Sequence, residues 1–167
     1  MPGIDKIMCP LDLSSHSVTV ARFAGKLAKQ LDSSVLVLYV APEFTEFVNF
    51  YVSPVPIHKP INPEKKGEAG TEPQGRHDNL IEEAQAVINK LIAENLQEVD
   101  ASSLIVKGAI AEEILKASKD NNIDMIIMGT QGRTGLERIL LGSVAEQIIK
   151  TAPVPVLTIR PQDQGKE

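Results

Sequence analysis

The sequence predicts a doubly wound α/β domain, an open parallel sheet with helices on both faces. Five short runs rich in Val, Ile, Leu and Met read as strands buried on both sides. Between them lie stretches whose apolar residues recur three or four apart, as in helices that turn one face to a sheet. At 167 residues the chain fits one domain with a sizeable core, so a single unit over 1–167 is expected.

Taken in order, the first strand is Lys6 to Cys9, followed by a helix whose inward positions are Val20, Phe23, Ala24, Leu27, Ala28 and Leu31. The second strand is Val35 to Val40. A second helix carries Leu80, Ala84, Val87, Ile88, Leu91 and Ile92 on one face. Ser103 to Val106 is the third strand, Ile110 to Lys119 the third helix and Ile123 to Met128 the fourth strand. A fourth helix, Val144 to Lys150, stops at Ala152 and Pro153 before the last strand, Val154 to Ile159, because proline cannot continue a helix. Strict alternation of strand and helix gives right-handed crossovers and therefore a parallel sheet.

One segment breaks the rhythm. Ala41 to Gly75 contains Pro42, Pro54, Pro56, Pro60, Pro63 and Pro73, with Phe44, Phe47, Phe50 and Tyr51 near its start. A loop of that length reads as a lid or an interface.

The composition, 43% apolar and 23% charged, is that of an ordinary soluble domain. A net charge of −5 with scattered Lys and Arg offers no basic stripe, against nucleic acid or an anionic membrane as main partner. No apolar run approaches the roughly 20 residues that cross a bilayer. Cys9 is the one cysteine and the start "MPGIDKIM" lacks the pattern of a signal peptide, so a reducing cytoplasm is the expected address. Within an apolar strand, Cys9 reads as a small hydrophobe. His16, His58 and His77 have no metal-ligand spacing and read as surface or capping residues.

The stretch that asks for a function is "GTQGRTGLERILLGS", Gly129 to Ser143, directly after the fourth strand. In open parallel sheets ligands bind beyond the carboxyl ends of strands, where the strand order reverses. Gly129, Gly132 and Gly142 lack Cβ atoms, so backbone N–H groups there can approach a phosphate chain closely. Ser143-Val144-Ala145-Glu146 has the form of a capping box, which predicts Ser143 as N-cap and an anion site at the start of the fourth helix. The same glycines also suit a loop that merely turns, and Arg133 and Arg138 suit either phosphate neutralisation or solvent. Neither the G-x-x-x-x-G-K-[ST] loop nor the compact G-x-G-x-x-G fingerprint is present.

With "MGTQGRTGLERILLGSVAEQII", "IMCPLD" near the start and "PVPVLTIR" at the end, the chain resembles the universal stress protein family, in particular its ATP-binding branch. That branch spaces a glycine, two residues, a glycine, nine residues and then Gly-Ser or Gly-Thr. Gly129, Gly132, Gly142 and Ser143 match it in full. The resemblance runs from Ile4 to Arg160 and is weakest over the proline-rich segment. It implies a Rossmann-like five-stranded parallel sheet in the order 3-2-1-4-5, with Pro10, Leu11 and Asp12 facing the Gly129 loop across one crevice. Asp12 would meet the nucleoside, the Val40 backbone the adenine edge, Met128 and Val144 the pocket wall, and Gly108 the nucleoside region. Without the family, these are a loop Asp, three core residues and a turn glycine. ATP is the implied ligand, accompanied by Mg²⁺. A homodimer is implied through the edge strand Val154 to Ile159, where Pro153 and Pro155 remove ladder donors. One departure stands out: Ala145 replaces a Ser or Thr common in ATP-binding relatives, removing a hydroxyl expected near the phosphates.

Phosphoryl transfer needs a positioned nucleophile and charge neutralisation, and only Ser143 and Asp12 are candidates beside the loop. The expected function is an ATP-holding regulatory or stress-response module. A slow ATPase or adenine-nucleotide hydrolase, and a stress-associated homodimer that binds no nucleotide, are the alternatives.

Overall fold

The computed structural model describes residues 3–41, 74–130 and 141–160, with side chains from 81 onward in the second segment. Five strands, β1 (Lys6–Pro10), β2 (Ser34–Ala41), β3 (Ala101–Lys107), β4 (Met125–Gly129) and β5 (Val156–Ile159), form one sheet in the order β3-β2-β1-β4-β5. Every pairing is parallel. Among the described residues four helices lie between and beside them: α1 (Ser17–Leu31), α2 (Gln74–Asn95), α3 (Ile110–Asp120) and α4 (Ser143–Thr151). The predicted alternation of strands and helices, and the order 3-2-1-4-5, are those of the structure.

Strand side chains alternate between faces, and the alternation builds two apolar layers. Ile7, Cys9, Val35, Val37, Tyr39 and Ile127 point to the side covered by α1 and α2, where Val20, Ala24, Ala28, Ala84, Ile88 and Leu91 meet them. Met8, Leu36, Leu38, Val40, Ile126 and Met128 point to the other side, against Ala111, Ile114 and Ala117 of α3 and Ala145 and Ile148 of α4. Because β1, β2 and β4 are covered twice, almost every residue in them is apolar. The edge strands β3 and β5 are only partly buried.

Several boundaries differ from the sequence-based expectation, each for a local reason. The last strand begins at Val156, not Val154: Pro153 and Pro155 have no N–H to pair, although the Pro155 carbonyl still accepts from Ile126. Ile123 is buried but precedes β4, its N–H donating back to the Ser118 carbonyl at the end of α3. The proline-rich segment is shorter than predicted at both ends, since Ala41 belongs to β2 and helix α2 already includes Gln74 and Gly75. The rest of that segment, with Phe44, Phe47, Phe50 and Tyr51, lies outside the described residues. Phe23, Leu31 and Val87, expected to face inward, are 41%, 41% and 49% exposed. The stripe of α1 that meets the sheet is the narrow one of Val20, Ala21, Ala24 and Ala28, and these small residues let the helix lie close while Phe23 and Leu31 fall on its flanks. Among the described residues no helix is long and apolar enough to cross a membrane.

Leu38 is fully buried in β2 and anchors the layer under α3 and α4. Leu38→Ala is expected to lower the unfolding free energy by about 2–5 kcal/mol, measured as a reduced urea midpoint at unchanged slope.

Candidate functional site

Strand β1 is the pivot of the sheet. From it the chain crosses to β2 on one side, and after β3 it returns to β4 on the other, so α1 and α2 lie on one face and α3 and α4 on the opposite face. Among the described residues no crossover covers the gap between the carboxyl ends of β1 and β4, the topological switch point at which open parallel sheets form a crevice. Ile7 pairs with Met125 and Met8 with Ile126.

On the β1 side, Pro10 ends the strand and the Leu11 N–H donates to the Leu38 carbonyl at 2.9 Å. Leu11 is buried under α1. Asp12 Oδ1 accepts two hydrogen bonds at 3.0 Å, from the Ser14 N–H and from the Ser17 hydroxyl in the first turn of α1. This Asx-type turn is the structural role a loop aspartate ordinarily has, and it fixes the orientation of the carboxylate. Each carboxylate oxygen accepts more than one hydrogen bond, so these internal bonds orient Asp12 without exhausting its accepting capacity. The turn forces Leu13 to a φ of +61°, in the left-handed region.

On the β4 side, Gly129 closes the strand and Thr130 follows, buried at 5% exposure. The Thr130 N–H donates to the Ile159 carbonyl at 3.0 Å, and its own carbonyl accepts the Gly142 N–H at 2.7 Å. The second bond ties the end of β4 to the start of α4 and thus closes the base of the glycine-spaced loop. Gly132, Arg133 and Arg138, expected within that loop, lie outside the described residues.

The predicted capping box does not form. Gly142, not Ser143, is the N-cap of α4, with extended backbone (φ −73°, ψ 156°) and its carbonyl accepting the Glu146 N–H at 2.9 Å. Ser143 is the first helical residue and is exposed. Glu146, freed from the box, accepts from Lys150 one turn on at 2.6 Å, and that hydrogen bond and charge hold its carboxyl below the usual range. An extended backbone is open to any residue.

Positive φ matters instead at Gly108. There φ is +147°, the N–H donates to the Ala41 carbonyl at 3.1 Å, and a Cβ would stand 2.9 Å from Glu113 Cγ. Val40 and Met128 are buried, and with the partly buried Val144 they belong to the layer under α3 and α4. The predicted pocket residues are thus brought to one edge of the sheet, Leu11 on one layer and Val40, Met128 and Val144 on the other. Ala145, where a hydroxyl was expected near the phosphates, is 3% exposed inside the apolar cluster with Ile148. A polar group at 145 would point into the core.

Two polar atoms at this edge were not singled out in the sequence. The Ser14 hydroxyl and the Thr130 hydroxyl are buried and make no hydrogen bond among the described residues. A buried hydroxyl left unsatisfied costs about 1–3 kcal/mol, so such groups call for a partner that the described residues do not supply. One comes from each side of the crevice. The only sequence signal was a Ser and a Thr placed just after the two central strands, a pattern too common to select. Among the described residues no three His, Cys, Asp or Glu side chains gather as metal ligands.

Cys9 and His16 have structural settings. Burial pushes the Cys9 thiol up to about 12, and His16 is the N-cap residue of α1 without a side-chain capping bond. His58 and the side chain of His77 lie outside the described residues.

Comparison with known proteins agrees with this geometry. The Universal stress protein family model matches residues 3–160. Universal stress protein MJ0531 of Methanocaldococcus jannaschii is 35% identical over 155 residues, covering 93% of this chain and 81% of that one. The solved structure of protein MJ0577 superposes with a TM-score of 0.75 at 26% identity, covering 98% of this chain and all of that one. A universal stress protein from Archaeoglobus fulgidus in complex with dAMP has the same fold, with a TM-score of 0.60 at 18% identity over 95% and 99% of the two chains.

Gly108→Ala is expected to destabilise the fold by about 1–3 kcal/mol through backbone strain, read as a lowered urea midpoint. Cys9 should resist a thiol reagent in native protein at pH 8 and react once urea unfolds the chain. Its raised value stabilises the fold fully below the unfolded thiol's pKa, and that contribution is lost as pH climbs toward the folded value of about 12.

Proposed function

Because the chain belongs to the universal stress protein family, we propose that it is an ATP-binding module whose nucleotide state regulates a partner or a stress response. The carrying observation is the junction at the switch point. The N-terminus of α4 is bonded through Gly142 to Thr130, the residue after β4, and β4 pairs with β1, the strand that leads into Pro10-Leu11-Asp12. The first N–H groups of a helix have no intrahelical acceptor and carry partial positive charge, which suits a phosphate chain. The buried hydroxyls of Ser14 and Thr130 fit a polar ligand better than an empty turn.

In this reading Gly129, Gly132, Gly142 and Ser143 cradle the phosphates, with Arg133 offsetting their charge. Asp12, held by Ser14 and Ser17, accepts from ribose hydroxyls. Leu11, Val40, Met128 and Val144 enclose the base, with Gly108 admitting close approach. The dAMP held by the Archaeoglobus fulgidus protein supports an adenine ligand. Mg²⁺ would be held chiefly by the phosphates, since no cluster of three acidic or imidazole ligands stands among the described residues. The partly exposed β5 supports a homodimer through Val154 to Ile159, and the lone buried Cys9 a cytoplasmic address.

The test is mass analysis of small molecules released from freshly purified, heat-denatured protein, beside a Gly132→Val, Gly142→Val double variant shown folded by circular dichroism. ATP in the native protein and none in the variant is the expected result. No nucleotide in either, with no binding of added ATP, would leave the loop as architecture. Steady turnover abolished by Asp12→Ala or Ser143→Ala would make the protein an enzyme.

A further inference from the structure

We propose that Ser17 is a positioning residue of the nucleotide site: its buried hydroxyl fixes the rotation of the Asp12 carboxylate and, through it, the preference for nucleotides that carry ribose hydroxyls over those that lack them. The inference rests on the ATP-binding reading, in which Asp12 meets the ribose, and adds to it a residue of α1 that acts through Asp12 rather than on the ligand.

Three hydrogen bonds close a ring between the end of β1 and the start of α1. The Ser14 N–H donates to Asp12 Oδ1, the Ser17 N–H donates to the Ser14 carbonyl, and the Ser17 hydroxyl donates to Asp12 Oδ1, each at 3.0 Å. The first two shape the backbone of the turn. The third joins two side chains, and it is the one that a change in the Ser17 side chain removes. The terminal torsion of an aspartate is broad, so a single donor places the carboxylate without fixing its rotation. A second donor on another element fixes it. Ser17 can be that donor because its own position is set: it is 4% exposed and begins a fifteen-residue helix whose Val20, Ala21, Ala24 and Ala28 lie in the core.

The helix draws nothing from this bond. A serine that served the start of α1 would accept from an N–H of the first turn, as an N-cap does. Here the N-cap is His16, without a side-chain capping bond, and the Ser17 hydroxyl donates away from the helix to the carboxylate. Alanine has the higher helix propensity and fills less of the same buried space, so packing and helix formation alone do not call for a serine. A carboxylate already held in one rotation accepts from ribose hydroxyls without first giving up that freedom. The base and the phosphates are met by other residues, so the Ser17 bond bears on the ribose contribution alone.

The experiment is a double-mutant cycle on wild type, Ser17→Ala, Asp12→Ala and the double variant, each titrated by calorimetry with ATP and with 2′,3′-dideoxy-ATP, and each melted without ligand. Wild type is expected to bind ATP more tightly than the dideoxy analogue. Ser17→Ala should weaken ATP binding by about 5- to 20-fold, leave the dideoxy analogue's affinity unchanged and keep a cooperative melt. In the Asp12→Ala background the same change should have no further effect on either ligand. A wild-type ratio of the two affinities in Ser17→Ala overturns the inference, as does an equal loss for both ligands or an undiminished loss in the Asp12→Ala background. A Ser17→Ala chain that does not fold overturns it too, because the hydroxyl then serves the fold. A wild type that binds neither ligand removes the parent reading, and this inference with it.

Discussion

The pairing of β1 on both of its edges is the constraint on which the rest depends. Because β1 lies between β2 and β4, the chain must leave it in one direction and come back on the other, and right-handed crossovers then put successive helix pairs on opposite faces. The two apolar layers arise from this, since strands covered twice can hold little that is polar. So does the switch point between β1 and β4, where open parallel sheets form a crevice. Moving β1 to the edge would remove both the second layer and the cleft.

At the crevice the same economy of polar groups explains the local bonding. Asp12 is oriented by Ser14 and Ser17, and Thr130 is tied to Gly142 and Ile159, so the turns after β1 and β4 are rigid without help from the loop between them. Turns bonded in this way hold the Ser14 and Thr130 hydroxyls away from water, where a donor without a partner is costly. A turn that served only to reverse the chain would more simply expose such groups to water.

Most of the architecture was legible in the sequence, and the reasons are physical. Val35 to Val40 and Met125 to Met128 are apolar without a break because two layers cover them, and Ile110 to Lys119 has helical spacing because one face meets the sheet. The features that escaped prediction depend on angles and distances that residue types do not encode. Phe23 and Leu31 have the right spacing for an inward face, yet small residues such as Ala21 and Ala24 set how closely α1 lies and so which flank stays open. The strand order came from family resemblance rather than periodicity, which is silent on which strands are neighbours. At the site, Gly129 and Gly142 were legible from their spacing, whereas Ser14 and Thr130 matter through the bonds they fail to make, and those are visible only once the backbone is placed.

The displaced cap of α4 has a physical cause and a consequence for the site. Ser-x-x-Glu is a sound capping signature, but it assumes that the serine can hold extended backbone while the chain before it stays free. Here the residue before it is not free, because the Gly142 N–H is bonded to the Thr130 carbonyl, and that bond fixes Gly142 as the last extended residue. Helix α4 therefore starts one residue early. Ser143 becomes an exposed first-turn residue whose hydroxyl is not committed to capping its own helix, and the helix start is left to glycine, which has no side chain to occupy the anion's place. A serine cap would have satisfied one of the orphan N–H groups internally. Without it the positive end of the dipole is capped by no side chain of the N-cap residue, so the departure from the sequence expectation changes the electrostatics of the helix start and not its position alone.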